Sequence, residues 1–164
     1  MKKAPIHGLT INQPWAFWIV RPDLPGPERH RAYRRGLIKG VVEIDSSSAR
    51  HLTGHFLAIH AGKSFEYVPA RWLRERGIKV EHPPSERVFK DVVIGVAYVA
   101  AFVTNPVVEL PPKQRPWLTG SGLLLESIVP IPPLAYRNED RALWELPEDL
   151  LEQIRERFRF AMSD

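Results

Sequence analysis

The sequence predicts an α+β domain: a small, mostly antiparallel β-barrel of about five to six strands with peripheral helices. Three observations carry this reading. The chain has 164 residues, 44% hydrophobic and 26% charged, which suits one ordinary domain built around one core. Its β-branched and aromatic runs are uneven in length and do not alternate with helices as a βαβ series would. Its most apolar run, Val92–Val103, is shorter than the roughly 18 residues a membrane span needs and reads as a buried strand.

Leu9–Asn12 opens the strand set. Pro14–Val20 follows as a short, largely buried helix, because proline suits a first helical turn. Pro22, Pro25, Gly26 and Pro27 end it, and a long loop is expected up to Arg35. Val41–Ile44 and His55–Ala61 are strands by composition, joined through turn residues at Asp45–Ser48 and Thr53-Gly54. Ser64–Arg76 has amphipathic spacing, with Phe65, Val68, Trp72 and Leu73 near one face and Gly77 as a stop. A loop over Glu81–Lys90 precedes the longest strand, Asp91–Thr104, in which Gly95 marks a bulge. Leu123–Val129 and Ala142–Leu146 complete the strands, and Pro147–Phe160 closes the chain as a helix. A single domain over 1–164 is expected, with its core over about 7–150.

Composition narrows the chemistry. Cysteine is absent, which excludes disulfides, thiolate zinc sites and cysteine nucleophiles. The basic N-terminus, Met1–Pro5, leads into no apolar signal region, so a cytoplasmic protein without membrane attachment is expected. Net charge is +4 and uneven: Arg21–Lys39 holds six Lys/Arg against Asp23 and Glu28, a surplus equal to that of the whole chain. One basic end on a nearly balanced protein points to a polyanion, and a solvated arginine-rich loop is the plainer reading. Gly120-Ser121-Gly122 lacks the strand–loop–helix context of a phosphate loop. His51 and His55 straddle Thr53-Gly54 and make a poor metal pair, so neither a metal nor a cofactor is expected.

Three residues stand out for chemistry. Lys39 and Glu43 lie four apart at the start of a strand, so a regular strand puts them on one face. A lysine beside a carboxylate serves as base or nucleophile if burial lowers its pKa; from spacing alone a surface ion pair is the plainer reading. His60 points with Phe56 and Ala58, opposite Leu57 and Ile59, and is either a hydrogen-bonded structural residue or part of a cleft.

Short blocks spread along the chain resemble one family. Leu9-Thr10-Ile11-Asn12-Gln13-Pro14-Trp15-Ala16 is similar to the opening of the ASCH (activating signal cointegrator homology) domain. Ile59-His60-Ala61-Gly62-Lys63, Val93–Ala97, Pro116–Gly122 with Leu124–Glu126, and Ala142–Pro147 resemble later blocks of that family in the same order. The family's G-x-K-x-[VI]-E-x-R motif is matched by Gly36–Asp45, which keeps Lys39 and Glu43 but has Asp45 where the family has arginine.

The resemblance implies a PUA-like barrel and an RNA or nucleoside ligand bound between barrel and helices. The implied cleft holds Gln13, Trp15, Lys39, Glu43, His60, Lys63 and the Thr119–Gly122 turn, including Gly120 and Ser121. Trp15 or Trp117 would stack on a base, with core packing as the rival role for both and the favoured one for Trp15, and Arg34 and Arg35 would meet phosphates. RNA binding is the leading expectation. The alternative is a hydrolase, a ribonuclease or an amidohydrolase acting on a modified nucleoside, with Lys39 as base or nucleophile, Glu43 its partner and Thr119 or Ser121 an orienting hydroxyl.

Overall fold

The structure is a computed structural model that describes residues 7–44, 47–84, 88–138 and 142–163. The expectations that fall on Met1–Pro5 and on Asp45, the family's arginine position, lie outside the described residues.

Among the described residues, six strands make one mixed sheet in the order β2-β5-β4-β3-β1-β6. They are β1 (His7–Gln13), β2 (Val41–Glu43), β3 (Phe56–Phe65), β4 (Val92–Val103), β5 (Gly122–Ala135) and β6 (Leu143–Glu145). Only β1 and β3 run parallel; the other neighbours are antiparallel. The sheet stays open, with β2 and β6 as its two edges, so the expected closed barrel is corrected to an open sheet. The sheet nonetheless curls. Val42 from one edge and Leu143 from the other pack on the same cluster, around Leu9, Ile59, Ile94 and Leu123.

Period-two alternation decides which side each strand residue serves. Leu57, Ile59 and Ala61 face the inner cluster, whereas Ala58 joins Val93 and Val96 on the outer face. That outer face is covered by α5 (Glu148–Met162), which buries Leu150, Leu151 and Ile154 against it. Each such side chain contributes roughly 1.5–3 kcal/mol by leaving water. The expected bulge is present: β4 slips register against β3 between Ile59 and His60, and against β5 between Val93 and Gly95.

A third cluster lies under α1 (Trp15–Val20) and α3 (Ala70–Glu75), and contains Phe17, Trp18, Leu73, Leu110 and Trp117. Three local expectations change. The long loop up to Arg35 contains α2 (Gly26–Arg34), with Pro27 in its first turn, Glu28 beside the positive helix end and Arg31 and Arg34 in the last turn. The helix expected over Ser64–Arg76 shrinks to α3, because strand pairing carries β3 through Ser64 to Phe65, opposite Gln13. The strand expected to end at Val129 continues to Ala135 through Pro130, Pro132 and Pro133. Beyond Leu124, β5 has only β4 beside it in the ladder. Pro132 and Pro133 fall where the β4–β5 register shifts between Val93 and Gly95, so their missing N–H groups interrupt no regular pairing there. The proline-rich connection forms a single turn, α4 (Pro106–Glu109), and a 3-10 segment over Pro112–Trp117.

Candidate functional site

The two ends of the curled sheet come together around a cleft of ≈ 410 Å³. β2 supplies Glu43 to it, β1 supplies Thr10 and Asn12, and Trp15, Lys39, Glu66, Trp72 and Thr119 complete the functional lining. All three candidate catalytic residues, Lys39, Glu43 and Thr119, therefore share one cleft.

Lys39 is 3% exposed. Its ammonium donates to Val41 O at 2.7 Å and to Glu43 Oε1 at 2.9 Å. It also stands 5.6 Å from the centre of the Trp15 ring. An ammonium has three N–H donors, so one remains for a ligand. Burial pushes the Lys39 pKa down from its ordinary 10.5, while Glu43 and then Glu66 pull it back up. The backbone beside it is pinned from below. Buried Gln114 accepts from Gly40 N at 2.8 Å and donates to Ile38 O at 3.0 Å.

The walls are aromatic and acidic. Trp15 meets Trp18 and Trp72 edge-on, each at 5.5 Å between ring centres. Glu66 accepts from Trp15 Nε1 and from Asn12 Nδ2, each at 2.9 Å, and so sets the tilt of the indole. Sequence reasoning missed Glu66, Asn12 and Trp72 as site residues. Asn12 carries no chemical signal of its own in a strand, and Glu66 and Trp72 fall in the segment read as one amphipathic helix. The turn after Thr119 is held to β2 by Ser121, whose hydroxyl donates to Ile44 O at 2.9 Å. Gly122 packs so closely on the Val42 carbonyl that a Cβ there would overlap it.

The other expected ligand-binding residues are dispersed. Gln13 is buried by internal bonds: its oxygen accepts from Phe17 N at the start of α1, and its nitrogen donates to Phe89 O. The Gln13–Pro14 bond is cis. Trp117 is fully buried and donates to Gly36 O at 2.9 Å, which is core packing and leaves no face for a base. Lys63 is exposed beyond the buried part of β3. Arg34 and Arg35 line a separate concavity.

His60 lies on the outer side of β3 and is 0% exposed. Its Nε2 faces the Tyr136 carbonyl and its Nδ1 lies 3.1 Å from Thr10 Oγ1. A carbonyl only accepts, so Nε2 carries the proton and Thr10 donates to Nδ1. Thr10 Oγ1 in turn accepts from Trp144 Nε1 at 2.9 Å and Asn138 Nδ2 at 3.0 Å. Burial pushes the His60 pKa down from 6.5, against smaller upward pulls from the Tyr136 bond and Asp91. The saturated hydroxyl gives a local reason to keep Nδ1 unprotonated. Among the described residues, no group of three or more His, Asp or Glu is placed to hold a metal ion. No helix among them is long and apolar enough to cross a membrane.

No protein-family model matches the chain, and no curated protein matches it closely enough to count as a relative. The site's own geometry therefore carries the functional argument.

Proposed function

We propose that the protein binds RNA by drawing one unpaired base into the Lys39 cleft. The observation that carries this is the pairing of aromatic walls, Trp15 and Trp72, with a floor that offers one buried cationic donor and the acceptors of Glu43 and Glu66. A heterocyclic base edge presents the complementary mixture of acceptors and donors, and its flat face suits the indoles. Two carboxylates disfavour a phosphate inside the cleft, so the backbone of the strand would pass outside it. The resemblance to ASCH domains and the curled sheet both support a PUA-like reading of the fold.

One observation favours a second reading, hydrolysis of an N-acylated nucleoside. Burial lowers the Lys39 pKa, which favours the neutral amine a general base requires. Lys39 would take a proton from water as the water oxygen bonds to the acyl carbon. The C–N bond would then break, and that proton would leave on the amine. Thr119 stands in the same cleft to orient the acyl group.

Tryptophan fluorescence during titration with a mixed-sequence single-stranded decaribonucleotide tests the first reading. Binding should weaken roughly ten- to hundredfold in Lys39→Met, as expected for a lost charged hydrogen bond, while the RNA stays whole on a gel. Equal affinity in wild type and Lys39→Met would overturn it. Release of free carboxylic acid from an N-acylated nucleoside, abolished by Lys39→Met, would establish the second.

A further inference from the structure

We propose that the concavity between the end of α2, the segment 77–79 and the 3-10 segment is a phosphate-binding pocket. It has a volume of ≈ 490 Å³, and Arg34, Arg35, Lys79 and Lys113 stand around it with no carboxylate in its lining. All four side chains are exposed. None of them has an ion-pair or hydrogen-bond partner among the described residues.

The contrast within the basic stretch is informative. Arg21 is neutralised by Asp23 at 2.8 Å. Arg29 spends its guanidinium on the carbonyls of Leu24 and Ile128, and Lys39 is buried beside Glu43. The basic stretch thus delivers two uncommitted cations, Arg34 and Arg35, to one rim. Lys79 and Lys113, distant in sequence, are brought to face them. Four like charges around one hollow repel each other, and a bound anion relieves that repulsion. Two guanidinium forks and two ammonium groups match the several oxygens of a phosphate.

The pocket is also built rigidly. Gly36, at φ 77°, lies so close to Lys113 that a Cβ would stand 2.8 Å from its carbonyl oxygen. Trp117 bonds Gly36 O at 2.9 Å and Gln114 bonds Ile38 O at 3.0 Å, so the two cationic rims are held together before any ligand arrives. This fixes the backbone that carries Arg34, Arg35 and Lys113, while their exposed side chains order on binding.

A phosphate could reach this pocket on a free phosphorylated small molecule or on a nucleic-acid strand. The second source is favoured by position. The same three chain segments, 34–44, 72–79 and 112–119, line this pocket and the Lys39 cleft. Leu37 in one and Lys39 in the other are two residues apart, at most about 7 Å of chain. A strand with one base in the cleft would lay a neighbouring phosphate here, and this assignment rests on the RNA reading above; the pocket's affinity for phosphate does not.

The test compares the wild type with the double variant Arg35→Gln/Lys113→Gln. Calorimetric titration with inorganic pyrophosphate should show binding to the wild type that weakens at least about tenfold in the double variant. No binding to the wild type, or equal binding to both, overturns the pocket. Titration with the decaribonucleotide at several salt concentrations should give a log–log slope shallower by about 0.7 for each phosphate contact removed. Adenosine binding in the cleft should be unchanged. An unchanged RNA slope alongside lost pyrophosphate binding would assign the pocket to a free phosphorylated molecule and overturn its role on RNA. Failure of the RNA reading itself shows separately, as no wild-type binding to the decaribonucleotide at any salt.

Discussion

Lys39 and His60 are both buried, at 3% and 0% exposure. Each lies against a tryptophan ring, at 5.6 Å from Trp15 and from Trp144 respectively. Burial lowers the pKa of both. They differ in what is left unspent. Lys39 uses two of its N–H donors and opens into a cleft with further polar groups, Glu66 and Thr119. Both nitrogens of His60 are engaged, and the Thr10 hydroxyl it faces has its donor and both acceptor positions filled. A buried polar residue is a candidate for function when its environment leaves a valence open. Where every valence is closed, as at His60, the residue specifies the fold.

The contrast can be broken most forcefully at His60. His60→Ala should lower unfolding stability by roughly 2–4 kcal/mol, since it opens a cavity and strands the Tyr136 carbonyl. Urea unfolding reads this. Thr10 bonds His60 and also lines the Lys39 cleft, so ligand affinity of the folded fraction should fall far less than in Lys39→Met; an equally large loss would mean that the cleft depends on His60.

A smaller effect follows from pH. The folded state holds the His60 pKa below 6.5, and burial followed by His51 does the same for His7. The unfolded chain therefore binds the proton more readily. The resulting stability is present above pH 6.5 and is lost as pH falls through the lowered folded values. Unfolding midpoints measured downward from pH 7.5 should decline, and His60→Gln should flatten part of that decline.

The smallest effect sharpens the cleft side. Glu66→Gln should change stability by less than about 1 kcal/mol, because its bonds to Trp15 and Asn12 are near the surface. It also removes a negative neighbour that raises the Lys39 pKa. The apparent pKa governing ligand binding should therefore move down, and an upward movement would contradict the placement of Glu66 beside Lys39.

Much of this architecture is legible in the sequence. The alternation over Leu57–Ala61 by itself places His60 on the face opposite Leu57 and Ile59, and Gly95 announces the bulge. The spacing of Lys39 and Glu43 suggests a shared face, but four residues of regular strand span about 13 Å. Their 2.9 Å contact arises because Lys39 lies ahead of β2, outside the extended ladder. Errors arise where local preference competes with distant pairing. Phe65 belongs to a helical pattern read alone, yet pairing with Gln13 draws it into a strand. Prolines 130, 132 and 133 signal an interruption locally, yet β5 passes through them because one side is open and the β4 register shifts beside Pro132 and Pro133. Of the two stacking candidates, the sequence favours core packing for Trp15; the structure reverses this, burying Trp117 and leaving Trp15 in the cleft wall.

What the sequence determined by itself was the α+β character, the faces of most strands and the inward face of α5. These depend on side-chain periodicity and on separations of a few residues, which the backbone geometry of a strand or helix converts directly into direction. Only the tertiary structure decided that the sheet stays open and which polar groups keep a free valence. Thr10 is completed by Asn138 and Trp144, 128 and 134 positions away. Lys79 and Lys113 reach Arg34 and Arg35 through contacts between separate segments. Such meetings are set by how the whole core packs, a many-body outcome that no short stretch of sequence encodes.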